Sequence, residues 1–269
     1  MRFEIGDYVT RRSYNSDIIF KIEKLHEDKV ILRGYKLRLM ADASPDDLVK
    51  VNKNDTNSLR RNLLHESYEY LQRQKRNLII NGNMIRNKEM DNCYRKKPGR
   101  VLHIDGDRDY LKISLQNYEN LQIQAKGYYM REKNIASKIK DYLQVFKPDI
   151  LVITGHDGYV ENSKYHTSDY FIEAVKKARY YENNLDDLII FAGACQSYYK
   201  KLINSGANFA SSPEGKLIHF LDPVMVVEKI AYTSIKEVIS VKDIIKTTIT
   251  GKGGIGGIET RGKLRLCYP

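Results

Sequence analysis

The 269-residue chain has three cysteines, Cys93, Cys195 and Cys267. They are few, odd in number and widely separated, which argues against a disulfide framework and for a reducing compartment. Cys/His spacing of the metal-binding kind is absent, and no motif calls for a cofactor. No apolar run is long enough to span a bilayer. The stretch Met1 to Asp7 has no apolar signal core, which predicts a chain that is not secreted. Negative charge is also in short supply: 45 Lys and Arg face 34 Asp and Glu, for a formal net charge of +11. Basic clusters occur at Arg11-Arg12, Arg60-Arg61, Arg73 to Arg76 and Arg95 to Arg100. An anionic partner such as nucleic acid would use such an excess. A solvated basic surface is the alternative, and the lack of a nucleic-acid motif favours that reading.

Enough apolar residues remain, 42% of the chain, to bury a core. Residues 1–54 read as a small β unit. Phe3 to Thr10, Asp17 to Ile22 and Lys29 to Arg33 are short strands, and Tyr35 to Leu39 is expected as a fourth. Short strands and tight turns over this length predict an SH3-like β-barrel that binds a partner or substrate. Residues 55–99 form a basic stretch, helical to about Arg76 and linker-like beyond, with Asn-Gly and Lys-Lys-Pro-Gly breaks. Residues 100–269 carry the main domain. Arg100 to Asp107 is its first strand, Tyr110 to Leu121 a helix, and Leu121 to Tyr128 a second strand. Met130 to Lys147 is an amphipathic helix with Ile135, Ile139, Leu143 and Phe146 on one face, stopped by Pro148. The β-α-β-α-β-α-β order predicts a three-layer α/β domain with a mostly parallel sheet.

Two later stretches share one design. Asp149 to Thr154 is an apolar run that ends in Gly155-His156-Asp157-Gly158. Leu188 to Phe191 is another, ending in Ala192-Gly193-Ala194-Cys195 before a helix expected from Tyr198 to Ile203. The segment between them, about Thr167 to Tyr181, has apolar residues at helical spacing and makes a crossover helix. His156 and Cys195 therefore come to one edge of a parallel sheet, where such folds present reactive groups, and a Cys–His pair results. A following helix would favour the thiolate. The plain alternatives are a small buried hydrophobe for Cys195 and a loop histidine for His156. Ile218 to Asp222 reads as a further strand, followed by a helix from Val224 to Tyr232. In the glycine-rich tail, Gly251 to Gly256 fits a dinucleotide fingerprint by letter but has no βαβ unit around it. Gly257 to Lys263 has phosphate-loop spacing but Leu264 in place of the metal-binding hydroxyl. A hairpin with glycine turns is expected there.

On these residues the sequence resembles the YabG sporulation-specific peptidase family of endospore-forming bacteria. The matching stretches are Phe3 to Ile22, Thr154 to Tyr159, Asn162 to His166, Phe191 to Tyr199, Ala207 to Pro213, Ile218 to Val224 and Gly253 to Leu266. The resemblance implies a cysteine peptidase, cytoplasmic in the mother cell, that processes spore-coat and related cortex proteins. It also implies cleavage after basic residues. The order of His156 before Cys195 is similar to that of the caspase-like peptidase fold. The separation of 39 residues is shorter than the roughly fifty of caspases, and Asp157 stands where caspase-like enzymes carry glycine.

In the scheme this implies, Cys195 attacks the scissile carbonyl and His156 moves the proton. The N–H groups of Cys195 and of Asp157 or Gly158 hold the oxyanion. A basic side chain before the cut needs a buried carboxylate, and Asp105, Asp107 and Asp222 are the candidates because each is expected to end a strand. His166 and His219 are alternative bases. A glutamine-amidotransferase-like arrangement would pair Cys195 with His219 and Asp222. A non-enzymatic rival is a basic nucleic-acid-binding or scaffold protein. The basic linker from Arg73 to Arg100 is expected to be exposed and is a candidate site of self-cleavage.

Overall fold

The computed structural model describes residues 3–52, 65, 69, 95–160 and 164–267. The helix expected over 55–76 and most of the linker lie outside the described residues.

The first unit is a five-stranded antiparallel sheet. Its strands are β1 (Tyr8–Arg11), β2 (Phe20–Leu25), β3 (Val30–Gly34), β4 (Met40–Ala43) and β5 (Leu48–Lys50). They lie in the order β4-β3-β2-β1-β5. Among the described residues no pairing joins β4 to β5, so the expected SH3-like barrel is not found as a closed barrel. Tyr35 to Leu39 is not the fourth strand. It is the loop between β3 and β4, and those strands pair directly, with Arg33 opposite Met40. The alternation of Leu37 and Leu39 with Lys36 and Arg38 marks extended backbone, but that backbone leaves the sheet.

The main sheet has six strands. They are β6 (Val101–Asp105), β7 (Ala125–Tyr129), β8 (Ile150–Thr154), β9 (Ile189–Ala192), β10 (Phe209–Ser211) and β11 (Ile255–Gly257). The order is β11-β10-β9-β8-β6-β7, and every pair is parallel except β10 with β11. Strands β6, β8, β9 and β10 are buried at every position, which is why Ile150 to Ile153 and Ile189 to Ala192 read as continuous apolar runs, while His103, Asp105 and Thr154 are buried polar residues in the same layer.

Alternate residues face two cores. Leu102, Ile104, Leu151, Ile153, Ile190 and Ala192 pack with helices α2 (Glu132–Phe146) and α3 (Ser168–Tyr181). Val101, Ile150, Val152, Ile189, Phe191 and Phe209 pack on the other side with α1 (Arg108–Asn120) and with a helix over Asp222–Tyr232. The β1–β5 unit joins this second core through Val9, Ile22, Leu32 and Leu39. Helix α2 ends in a left-handed Lys147 (φ 48) just before Pro148, a C-terminal stop that proline reinforces.

The chain runs from β6 over one face by α1 to the edge strand β7. It returns over the other face by α2 to β8, on the opposite side of β6. The crossovers diverge between β6 and β8, and a crevice opens there at the carboxyl ends of the strands.

Several expectations differ at the elements' ends. The expected strand at Ile218 to Asp222 is irregular backbone with one isolated bridge at His219, and Asp222 begins a helix. Burial of Ile218, Phe220 and Leu221 explains the apolar run. The tail is no hairpin: Thr260–Arg261 pairs with Val238–Ile239 and Arg265–Cys267 with Arg95–Lys97. Among the described residues no helix is long and apolar enough to cross a membrane.

Candidate active site

Three strand ends meet at the crevice. β6 brings Asp105, β8 brings the Gly155-His156-Asp157-Gly158 block, and β9 brings Cys195 after a glycine, Gly193, in the left-handed region (φ 113). Beneath them, the buried Glu132 at the start of α2 accepts the His156 N–H at 3.1 Å. A Cβ on Gly155 or Gly106 would stand 2.6 or 2.2 Å from the same carboxylate. Glycine at both positions lets two strand ends close over one acid.

His156 is fully buried and lies face to face with Tyr110, the ring centroids 5.5 Å apart. Its Nε2 is 3.2 Å from the carbonyl of Gly34. A carbonyl only accepts, so Nε2 carries the proton. Burial, together with the Arg33 and Arg38 cations, pushes the imidazole well below its ordinary pKa and keeps it neutral. Cys195 is fully buried as well. Its sulfur accepts the Ile218 N–H at 3.0 Å, yet burial outweighs that bond and pushes the thiol up to about 12. The expected help from a following helix does not arise. That helix begins only at Tyr199 and has six residues. Strands β8 and β9 are neighbours, but no hydrogen bond joins His156 to Cys195 among the described residues.

The backbone around the two residues is braced by the Asp157 side chain. Its Oδ1 accepts the N–H groups of Gly158 and Thr167, both at 2.9 Å. Its Oδ2 accepts the hydroxyls of Ser168 and, at 3.0 Å, Ser197. Ser197 in turn accepts the Ala194 N–H at 2.9 Å. One carboxylate thus ties the histidine block to the cysteine block.

Asp105 is the centre of a buried polar chain. Its two oxygens accept from the Arg38 guanidinium at 3.1 and 2.9 Å, a bidentate pair in which both side chains are fully buried. Thr154 donates to it at 2.9 Å and itself accepts from His103 at 2.8 Å. Burial alone would raise the Asp105 carboxyl, but the Arg38 charge and His103 outweigh it and hold it far below the usual carboxylate range. Asp107 caps α1 through the N–H groups of Asp109 and Tyr110 and lies 4.0 Å from His156 Nε2. Asp222 accepts the Ile249 N–H at 2.8 Å and also lies in the interior. Of the three carboxylates, Asp105 alone meets a guanidinium head-on among the described residues. The His166 N–H donates to the Gly158 carbonyl at 3.1 Å and the His219 N–H to the Thr250 hydroxyl at 2.9 Å.

Arg38, on the loop between β3 and β4, is the residue that the sequence did not flag. An arginine alternating with leucines reads as a solvent-facing position. Here its side chain is 0% exposed. Its carbonyl oxygen accepts two N–H groups at once, those of Cys195 at 3.0 Å and Asp157 at 3.1 Å.

The YabG peptidase U57 family model matches residues 4–269. The chain belongs to that family. It is also 40% identical, over an alignment of 292 residues, to a Bacillus subtilis protein described as the sporulation-specific protease YabG, with 100% of this chain and 99% of that protein covered. No solved structure matches it. Both the small β unit and the six-stranded domain therefore belong to the YabG peptidase pattern, because the match begins before β1 and continues past β11.

Proposed function

We propose that the chain is a cysteine endopeptidase of sporulation that cuts after arginine or lysine, with Cys195 as nucleophile and His156 as general base and acid. The observation that carries this reading is the convergence of two N–H groups, from Cys195 and Asp157, on one carbonyl oxygen. Paired donors aimed at a single oxygen beside a thiol are what acyl transfer needs, and losing one such donor typically costs about 10²–10³ in rate. The Arg38–Asp105 pair supports the specificity: a guanidinium fits the Asp105 carboxylate in two parallel bonds. Asp107 and Asp222 are engaged by helix and loop N–H groups, and Asp105 is the specificity residue in this reading.

With a substrate in place, the Cys195 sulfur attacks the carbonyl carbon and its proton passes to His156. His156 then protonates the leaving amine, and water releases the acyl group from sulfur. The order of histidine and cysteine on successive strands supports a caspase-like organisation. The full-length match to a protein described as a sporulation-specific protease supports a role in sporulation; spore-coat and cortex-related proteins of the mother cell are the substrates in this reading.

The test is to incubate wild-type, Cys195→Ala and His156→Ala proteins with a spore-coat extract and to identify new amino termini by mass spectrometry. New termini from wild type alone, each preceded by Arg or Lys, are expected. The same termini from all three proteins would make Cys195 structural and favour a non-catalytic binding module.

A further inference from the structure

Residues 35–39 join β3 to β4 through the crevice instead of around the surface. Leu37 bridges His219 in the antiparallel sense and Leu39 bridges Asp157 in the parallel sense. The Met40 N–H donates to Asp157 at 2.6 Å. The Met40 carbonyl lies against Gly158, where a Cβ would stand 1.9 Å from the oxygen. A segment gripped along both edges by backbone is held as an extended peptide is held when it adds to a sheet. Within that segment, the residue whose carbonyl takes both N–H donors is the residue whose side chain takes Asp105. A structural ion pair would account for the Arg38–Asp105 contact. It would not account for the Arg38 carbonyl sitting on the N–H groups of Cys195 and Asp157, or for Gly34 holding the proton-bearing nitrogen of His156.

We infer that the loop Leu37 to Met40 is a tethered substrate of the chain's own active site. Arg38 fills the specificity pocket, Arg38–Leu39 is the first bond cut, and the loop excludes other substrates until then. This rests on the peptidase reading above. The Cys195 sulfur bonds to the Arg38 carbonyl carbon, and its proton passes to His156. The bond from that carbon to the Leu39 nitrogen breaks as His156 returns the proton to nitrogen. The products are an Arg38–Cys195 thioester and a free Leu39 amine. Water then adds to the thioester, leaving an Arg38 carboxylate and a restored thiol. One water is consumed and nothing is oxidised or reduced.

The experiment uses the full chain as wild type, Arg38→Lys, Arg38→Ala and Cys195→Ala. Each is followed by intact mass and amino-terminal sequencing, with a separate arginyl reporter peptide assayed in parallel. Wild type and Arg38→Lys are expected to yield a Leu39 terminus at a rate independent of protein concentration. Arg38→Ala and Cys195→Ala are expected to stay whole at that bond. Arg38→Ala, with its loop no longer anchored, should cleave the reporter at least about tenfold faster than uncut wild type, because the accessible fraction scales the rate. Arg38→Ala leaves Asp105 buried without its partner and can fail to fold. A synthetic peptide of residues 34–43 is therefore also given to the wild-type enzyme, and is expected to be cut after its arginine. If wild type cleaves the reporter and Cys195→Ala does not, but no Leu39 terminus forms and the peptide is neither cut nor competes, the tethered substrate is refuted and the peptidase stands. If wild type and Cys195→Ala treat the reporter alike, the peptidase reading fails and the inference falls with it.

Discussion

With the loop in place, the Cys195 thiol should be slow to alkylate, and displacing the loop should speed it up. A thiol at about 12 is about one part in 10⁴ thiolate at pH 8, against about a quarter for an ordinary thiol near 8.5. The more basic thiolate is the better nucleophile, which returns roughly 40-fold at a Brønsted slope of about 0.45. The net expectation is labelling about 60-fold slower than an ordinary exposed thiol, before any steric shielding. Shielding can only slow it further, since Cys195 has no exposed surface. The perturbation is Gly158→Ala. Its Cβ would overlap the Met40 carbonyl, and the Asp157 brace fixes the Gly158 side of that contact, so the loop must move. Timed iodoacetamide labelling, quantified peptide by peptide, reads both proteins with exposed Cys267 as the internal reference. Cys195 should lag Cys267 by about 60-fold or more in the intact wild type and by under about tenfold in Gly158→Ala. Equal labelling of the two cysteines in the intact wild type would refute the buried-thiol argument.

Asp105→Asn leaves the Arg38 charge buried without its partner and should cost about 3–5 kcal/mol in urea unfolding, whereas Arg38→Met with Asp105→Leu should cost far less. The Asp105 carboxyl is held below its unfolded value, so its stabilisation is present above about pH 4 and fades as pH falls further. Thermal unfolding between pH 6 and 3 should therefore fall more steeply for wild type than for that double variant. Asp157→Ala strands several buried donors, each worth about 1–3 kcal/mol when unmet, and should lower the urea midpoint more than Asp157→Asn, which keeps one acceptor oxygen.

The parallel sheet was legible because strands buried on both faces must be apolar throughout, and Ile150 to Ile153 and Ile189 to Ala192 are. Helix α2 was legible from Ile135, Ile139 and Leu143, all fully buried. His156 and Cys195 were legible as strand-end residues, since small residues follow each apolar run. The loop from Tyr35 to Leu39 was not. Its alternation describes an extended chain correctly, but a period of two does not say whether the neighbour is a sheet or a cleft. Arg38 escaped for the same reason, since a cation between leucines looks identical whether it meets water or Asp105. The ionisation of Cys195 was misjudged because the helix after it starts too late, while the loop that covers it lies more than 150 residues earlier in the chain. Asp222 was read as a strand end because an apolar run next to a buried helix looks like a strand.

The pairing of β3 with β4 gives the loop a second property. Val30 to Arg33 lie opposite Ala43 to Met40, so the two sides of the Arg38–Leu39 bond are clamped to each other by a ladder that does not depend on that bond. Severing it would leave a nicked hairpin with both new ends still in the crevice. Chemistry and release would then be separate events with separate clocks, the second set by how long four residue pairs and the Arg38 anchor take to let go. A protease built this way would hold a delay in its own fold.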